Sequence, residues 1–242
     1  IHHMEAHLIM AKYDAEDLTY PFISLLVSGG HTLIVKVSSP NAYKVIGQTK
    51  DDAVGEAFDK TAKLLGIKFP GGPFIEKFAA KGNKDRFDLP KPIINRGGCN
   101  LSLAGLKTAV LKISKSIKNN QDKYDLAASF QKTIEEILVK KTRIAFDEFK
   151  KINRTKKNFF VIAGGVAANN NIRNKLEKLS FEEKFIPIFP PMNLCGDNAA
   201  MIAMVGLEKF KLKQFSKLNS PAKPRWQLDE GAAFLKGAGV KL

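Results

Sequence analysis

Phe22-Ile23-Ser24-Leu25-Leu26-Val27 is a short, nearly all-apolar run of strand length that stops at Ser28-Gly29-Gly30, and its reading decides the fold. Residues 31–37 resume as a second strand and residues 42–49 make a third, so three strands with short connections predict a meander. Two glycines at the first turn let backbone amides approach a ligand closely, as phosphate-binding turns require. A plain hairpin turn accounts for the same residues. Further along, Phe159-Phe160-Val161-Ile162-Ala163 predicts a buried strand ending at Gly164-Gly165, with a helix opening within 167–171. Strand, glycine pair and helix in that order are the usual setting for nucleotide contact at the C-terminal end of a sheet. Residues 185–189 predict another strand, Pro190-Pro191 close it, and Asp197-Asn198 open a helix over 199–210. The expected class is α/β, with a mixed sheet covered by helices.

The stretch after the meander predicts a helix over 51–65, with Val54, Phe58, Thr61 and Leu65 inward. Asp52, Glu56 and Asp59 share another face, where they repel one another by a few tenths of a kcal/mol. The preference of helix starts for acids explains Asp51 and Asp52 but does not reach Asp59, so a ligand-facing stripe is the alternative. Phe69-Pro70-Gly71-Gly72-Pro73 breaks this helix, and a second begins near Phe74 with Glu76 in its first turn. Residues 81–98 are rich in Gly, Pro and Asn and predict an irregular excursion. Leu101-Ser102-Leu103-Ala104-Gly105-Leu106-Lys107 leads into a basic amphipathic helix. Residues 125–151 form the longest predicted helix, with Leu126, Phe130, Ile134, Leu138, Ala145 and Phe149 inward.

At the start of the chain, Ile1, Met4, Leu8 and Ala11 recur at helical spacing and predict a helix with one buried side. His3 and His7 lie one turn apart on a neighbouring face. Two imidazoles so placed can grip one metal ion with a third ligand from elsewhere. Surface histidines, or a tag remnant ahead of Met4, are the other readings of the same residues.

Composition narrows the function classes. A chain of 242 residues with 44% hydrophobic and 26% charged side chains is neither disordered nor membrane-like. No apolar run approaches the ~18 residues that span a bilayer. Cys99 and Cys195 are too few for a disulfide framework, which points to a reducing, cytoplasmic setting. The net charge of +15, with lysines clustered at 112–123, 140–157 and 209–217, fits either solvated faces or a polyanion such as nucleic acid. There is no P-loop and no Gly-x-Ser-x-Gly elbow, and Met4 follows His3 where a zincin helix needs Glu.

Several stretches together resemble one family, the tRNA N6-adenosine threonylcarbamoyltransferases. They are His3-Met4-Glu5-Ala6-His7, Leu26-Val27-Ser28-Gly29-Gly30-His31-Thr32, residues 51–63 and 69–73, and Gly105-Leu106-Lys107-Thr108-Ala109-Val110. Residues 163–169 and 195–203 follow, with Pro224-Arg225-Trp226 last. They run in the family's order along the whole chain, and they remove the tag reading. The resemblance implies a lobe of the actin, Hsp70 and sugar-kinase (ASKHA) superfamily, in which two lobes clasp a nucleotide. Ser28-Gly29-Gly30 would be a phosphate turn and Gly164-Gly165 an adenosine-contacting turn.

The implied reaction moves threonylcarbamoyl from threonylcarbamoyl-AMP to N6 of the adenosine beside the anticodon, in tRNAs reading A-starting codons. Carried over by motif, His3, His7 and Asp197 would hold one divalent metal, Fe(II) first and Zn second. Leu26, Val27, Ser28, Gly29 and Gly30 would line the phosphate or threonylcarbamoyl end of the donor. Asp59 and Glu76 would accept from ribose hydroxyls, while Gly72 and Asn169 would contact the nucleoside. Implied partners are tRNA, a paralogous ASKHA subunit (TsaB-like) and a small ATPase (TsaE-like), with no membrane. Residues 1–20 would be the remnant of a first lobe, 21–210 the second lobe, and 211–242 a tail packing back on the first. The family's first lobe is nearly all missing from this sequence, so the chain alone is expected to lack one wall of the cleft. An ATPase or kinase of the same superfamily, a metal-dependent peptidase and an inactive partner subunit are the rivals.

Overall fold

The computed structural model describes residues 1–153, 157–224 and 226–232. The meander forms as expected from β1 (Phe22–Val27), β2 (Thr32–Ser39) and β3 (Ala42–Gln48). Strands β4 (Asn158–Ala163) and β5 (Phe185–Ile188) complete one five-stranded sheet in the order β3-β2-β1-β4-β5. The β1–β2 and β2–β3 pairs are antiparallel, whereas β1–β4 and β4–β5 are parallel. The mixed sheet flanked by helices is the fold class the sequence implies.

Strand β1 is apolar almost throughout because both faces of the sheet are covered. Ile23, Leu25 and Val27 point into a core with Phe58, Phe130, Phe146, Phe160 and Ile162. Phe22 and Leu26 point the other way, to Met4, Leu8, Val35 and Val161. The one polar residue in the strand, Ser24, is fully buried and donates its hydroxyl to the Val161 carbonyl at 3.1 Å. That bond removes most of the penalty of burying a hydroxyl.

The first face is closed by α2 (Val54–Leu64), α3 (Gly71–Ala79), α4 (Ala104–Ser114), α5 (Asn120–Ile152) and α6 (Asn170–Glu182). The second face carries α1 (His3–Met10), and α7 (Ala199–Lys211) packs against α1. Met4 and Leu8 of α1 meet the sheet, while Ala6, Ile9 and Met10 meet Met201 and Val205 of α7. Helix α1 is therefore buried on two sides rather than the expected one, since α7 supplies a second apolar surface. Ile1, placed in the buried stripe by its spacing, is 49% exposed because it precedes the helix.

Two helix starts also differ from expectation. Helix α2 begins at Val54, three residues late, because Asp51 serves another helix. Its Oδ1 accepts from the Leu103 and Ala104 N–H groups at 2.6 and 3.1 Å, and Ser102 bonds its other oxygen, so it satisfies the start of α4. Helix α5 begins at Asn120, five residues early, with the Asn119 side chain accepting from Asp122 N–H at 2.8 Å.

The excursion over 81–98 contains no helix or strand and is pinned to α5 from both ends. Asp125 accepts from Asn83 N–H at 2.7 Å and from Arg86 at 2.9 Å. Lys141, 1% exposed, donates to the Arg96 and Gly98 carbonyls at 2.8 and 3.2 Å. Near the C-terminus the chain returns to the β3 side of the sheet, where Asp229 accepts from the Val45 N–H at 2.9 Å. Arg225 and residues 233–242 of the predicted tail lie outside the described residues, as do residues 154–156 of one lysine cluster. Among the described residues no helix is long and apolar enough to cross a membrane.

Candidate active site

Because β1 and β4 are parallel neighbours with Leu26 opposite Ala163, the two glycine turns lie side by side at one end of the sheet. In the first turn, Ser28 N–H donates to the His31 carbonyl at 2.8 Å and His31 N–H donates to Ser28 Oγ at 3.0 Å. A Cβ at Gly29 or Gly30 would meet no atom within 4 Å, so the space over the turn is open. Helix α2 is drawn tightly to this turn, with Gly55 N–H donating to the Ser28 carbonyl at 3.1 Å. In the second turn Gly164 has φ of 92° and a Cβ there would fall 2.4 Å from the Val27 carbonyl oxygen. Only glycine fits both constraints. Leu26 and Val27 have their side chains in the two cores and their backbone in the sheet, so the structure places them behind the turn.

His3 and His7 on α1 and Asp197 just before α7 come together. Their donor atoms lie within 4.8 Å of one another. His7 Nε2 is 3.1 Å from Asp197 Oδ1, and His3 Nε2 is 3.5 Å from the same oxygen. Packing of α1 on α7 sets this meeting. Asn198 fixes the loop beneath, accepting from Met201 N–H at 2.9 Å and donating to the Gly196 carbonyl at 2.9 Å. Burial, and then the neighbouring His3, push the His7 pKa down against the pull of Asp197. A neutral imidazole is the form that binds a metal. Two imidazoles and one carboxylate with one open side therefore suit a divalent ion such as Fe(II) or Zn.

The chain's other two histidines also bear on this end of the sheet. His2 is spent on structure, since its ring accepts from Met4 N–H at 3.2 Å and bonds the Trp226 carbonyl at 2.9 Å. His31, half-buried, has its pKa lowered by burial and then by His3, His7 and His2. In the sequence His31 stands out only as part of a motif, directly after the glycine pair.

The residues that the family resemblance assigns to the nucleoside divide differently. Asp59 Oδ1 accepts from Gly71 N–H at 2.7 Å, the first residue of α3. Glu76 Oε1 accepts from Asn170 N–H at 2.8 Å, the first residue of α6. Asn169 caps α6 by accepting from Ile172 N–H at 3.0 Å. Gly72 sits on α3 with open space where a Cβ would be. These residues thus form a chain of contacts joining α2, α3 and α6.

The acidic face of α2 is not one uniform stripe. Lys60 reaches both Asp52 and Glu56 at 2.7 Å, and Lys107 of α4 reaches Asp52 at 3.0 Å. Burial alone would raise the Asp52 pKa, but the bonds to Lys60 and Lys107 hold it below the usual carboxylate value. Asp59, further along the same face, holds the Gly71 N–H rather than a lysine. Beside it a cleft of about 370 Å³ opens between Gly29, Asp59, Gly71 and Phe69, with Lys63 and Lys68 on its wall.

A family model described as "TsaD: tRNA N6-adenosine threonylcarbamoyltransferase" matches residues 1–204. The chain belongs to this family. A relative carrying that name in Pelagibacter ubique (strain HTCC1062) is 68% identical over 242 residues, covering all of this chain and 68% of the relative. Another in Rickettsia massiliae (strain Mtu5) is 47% identical over 234 residues, covering 95% of this chain and 67% of the relative. Among solved structures, full-length HypF in its phosphate- and nucleotide-bound form superposes with a TM-score of 0.64 at 13% identity. That match covers 89% of this chain and 36% of HypF. The T. kodakarensis HypF gives a TM-score of 0.60 at 15% identity, covering 86% and 37%. At such identities the likeness establishes the fold alone. Membership of the threonylcarbamoyltransferase family makes the chain a transferase by class and disfavours the ATPase, kinase and peptidase readings.

Proposed function

We propose that the chain transfers threonylcarbamoyl from threonylcarbamoyl-AMP to N6 of the adenosine beside the anticodon, in tRNAs that read A-starting codons. The observation that carries the reading is the family match through residues 1–204, in register with a relative 68% identical over the whole chain. In the reaction the adenosine amine forms a bond to the carbamoyl carbon, the carbon–oxygen bond to the adenylate breaks, AMP leaves, and the amine proton is lost. The amine is a weak nucleophile, so much of the rate must come from holding the two substrates in line.

The Gly29 and Gly30 backbone amides and the Ser28 hydroxyl would hold the phosphate or threonylcarbamoyl end of the donor. Asp59 and Glu76 each keep one carboxylate oxygen beyond the one used on a helix start, and those would accept from ribose hydroxyls. Gly72 and Asn169 would contact the nucleoside. His3, His7 and Asp197 would hold a divalent metal, Fe(II) before Zn, which supplies Lewis acidity at the donor's oxygens when bound. Lys63, Lys68 and Phe69, which is 83% exposed, line the adjoining cleft and suit the approach of a single-stranded RNA loop. A paralogous ASKHA subunit and a small ATPase are the protein partners in this reading, and the cytoplasm is its compartment.

The test is transfer of radiolabelled threonylcarbamoyl from its adenylate to unmodified tRNA by the full chain, alone and with those partners. Label appearing on the adenosine beside the anticodon supports the reading. Release of inorganic phosphate from ATP, without any labelled tRNA, would sink it and favour an ATPase.

A further inference from the structure

Asn169 is 8% exposed and its side-chain amide is oriented from both ends. The oxygen accepts from Ile172 N–H at 3.0 Å, which fixes it toward α6. The nitrogen donates to Gln131 Oε1 at 3.0 Å. Gln131 lies on α5 and is only 4% exposed. The Ile172 N–H can only donate, so it commits the Asn169 oxygen and leaves the Asn169 NH2 facing Gln131. Gln131 therefore turns its carbonyl toward Asn169. The two buried side chains join α5 to the start of α6 in one fixed sense.

We infer that Gln131 is a positioning residue for the nucleoside: it fixes Asn169 so that the amide offers its one remaining N–H as a donor. An Asn amide has two N–H donors, of which Gln131 takes one. The other is then presented to an acceptor atom of the nucleoside, a ring nitrogen or an ether oxygen, rather than to a hydroxyl hydrogen. The inference rests on the reading of Asn169 as a nucleoside contact. It adds a residue buried behind the site, which no ligand needs to touch. It also sets the polarity of the contact.

The test uses the full chain, with AMP affinity by calorimetry and steady-state transfer as separate readouts. Gln131→Met keeps the side chain's length and burial but removes the acceptor. Loss of one oriented hydrogen bond should weaken AMP binding and raise the KM for threonylcarbamoyl-AMP by about tenfold. The KM for tRNA and the melting temperature should stay near wild type. Gln131→Glu, which can still accept from Asn169, should recover most of the AMP affinity. Unchanged AMP affinity in a folded Gln131→Met chain overturns the inference. So does an equal rise in both KM values with a lowered melting temperature, since that marks a scaffold role.

If Gln131→Met does not fold, Asn169→Asp replaces it. Aspartate still accepts from the Ile172 N–H but has no N–H to present, so AMP affinity should fall about tenfold. Unchanged affinity overturns the inference. A wild-type chain that binds AMP but transfers nothing breaks the transfer reading, while the AMP arm still decides the role of Gln131. A wild-type chain that binds no AMP breaks both.

Discussion

The two halves of the site are built on opposite terms. His3, His7 and Asp197 come from the two ends of the chain, and their bonding groups meet one another without supporting a helix or strand. Asp59, Glu76 and Asn169 each spend one oxygen on the start of a helix, α3 for Asp59 and α6 for the other two. Removing a side chain from the first group should therefore cost function, with little loss of structure in the metal-free chain. Removing one from the second should cost both. The difference teaches that a polar group at a site can be half scaffold, and that only a substitution keeping the scaffold half isolates its role with ligand.

The comparison can be broken at its first term by His7→Ala. Metal content by mass spectrometry should fall to background, and transfer should drop by more than about a hundredfold, beyond what loss of a supporting contact costs. The melting temperature in chelator should barely move. A variant that keeps full activity without metal would remove the site from the mechanism.

Asp59 sharpens the second term. Asp59→Ala orphans Gly71 N–H and should cost about 1–2 kcal/mol of stability as well as raising the donor KM. Asp59→Asn retains an acceptor for Gly71, so denaturation should show near-native stability while the donor KM still rises. If both variants were equally unstable, the separation of scaffold and ligand roles would fail.

Glu76→Ala should behave alike but more weakly. Its bond to Asn170 N–H is exposed to water, so chemical denaturation should register less than about 1 kcal/mol.

Smallest is an effect of pH in the lysine-paired acids beside Asp59. The Asp52 carboxyl titrates below its ordinary value in the folded chain, because Lys60 and Lys107 offset burial. Its pairing therefore adds stability above the unfolded pKa, near 4, and that stability is lost as the pH falls through the lower folded value. The melting temperature of wild type should thus decline more steeply below about pH 4 than that of Asp52→Asn. Parallel curves would show that the pairing adds nothing.

Much of the fold was legible because it depends on local pattern. The apolar run of β1, the glycine pairs after β1 and β4 and the inward stripe of α5 are all written in neighbouring residues. What escaped depends on partners far along the chain. Asp51 reads as the start of its own helix, yet it satisfies α4, some fifty residues away. Asp52 and Glu56 read as a repelling stripe, yet Lys60 and Lys107 pair them.

The histidines show both limits. The spacing of His3 and His7 announced a shared face, whereas the structural use of His2 on Trp226 could not be read from order alone. Asp197 entered only by resemblance to the family, since nothing in its neighbourhood names α1 as a partner. Gln131 carried no signal at all, being one polar residue inside an amphipathic helix.

His7 and Asp197 are 190 residues apart, and between them runs the whole five-stranded sheet. An ion gripping both would close that length of chain into a loop, and it could do so only in molecules where α1 already lies against α7. Its affinity would then be drawn from the same free energy as folding. The cation would serve as a clasp as well as a reagent: at a hundred times its dissociation constant it would add about 2.7 kcal/mol to the folded state. Cells short of that cation would hold a less durable protein as well as a slower one.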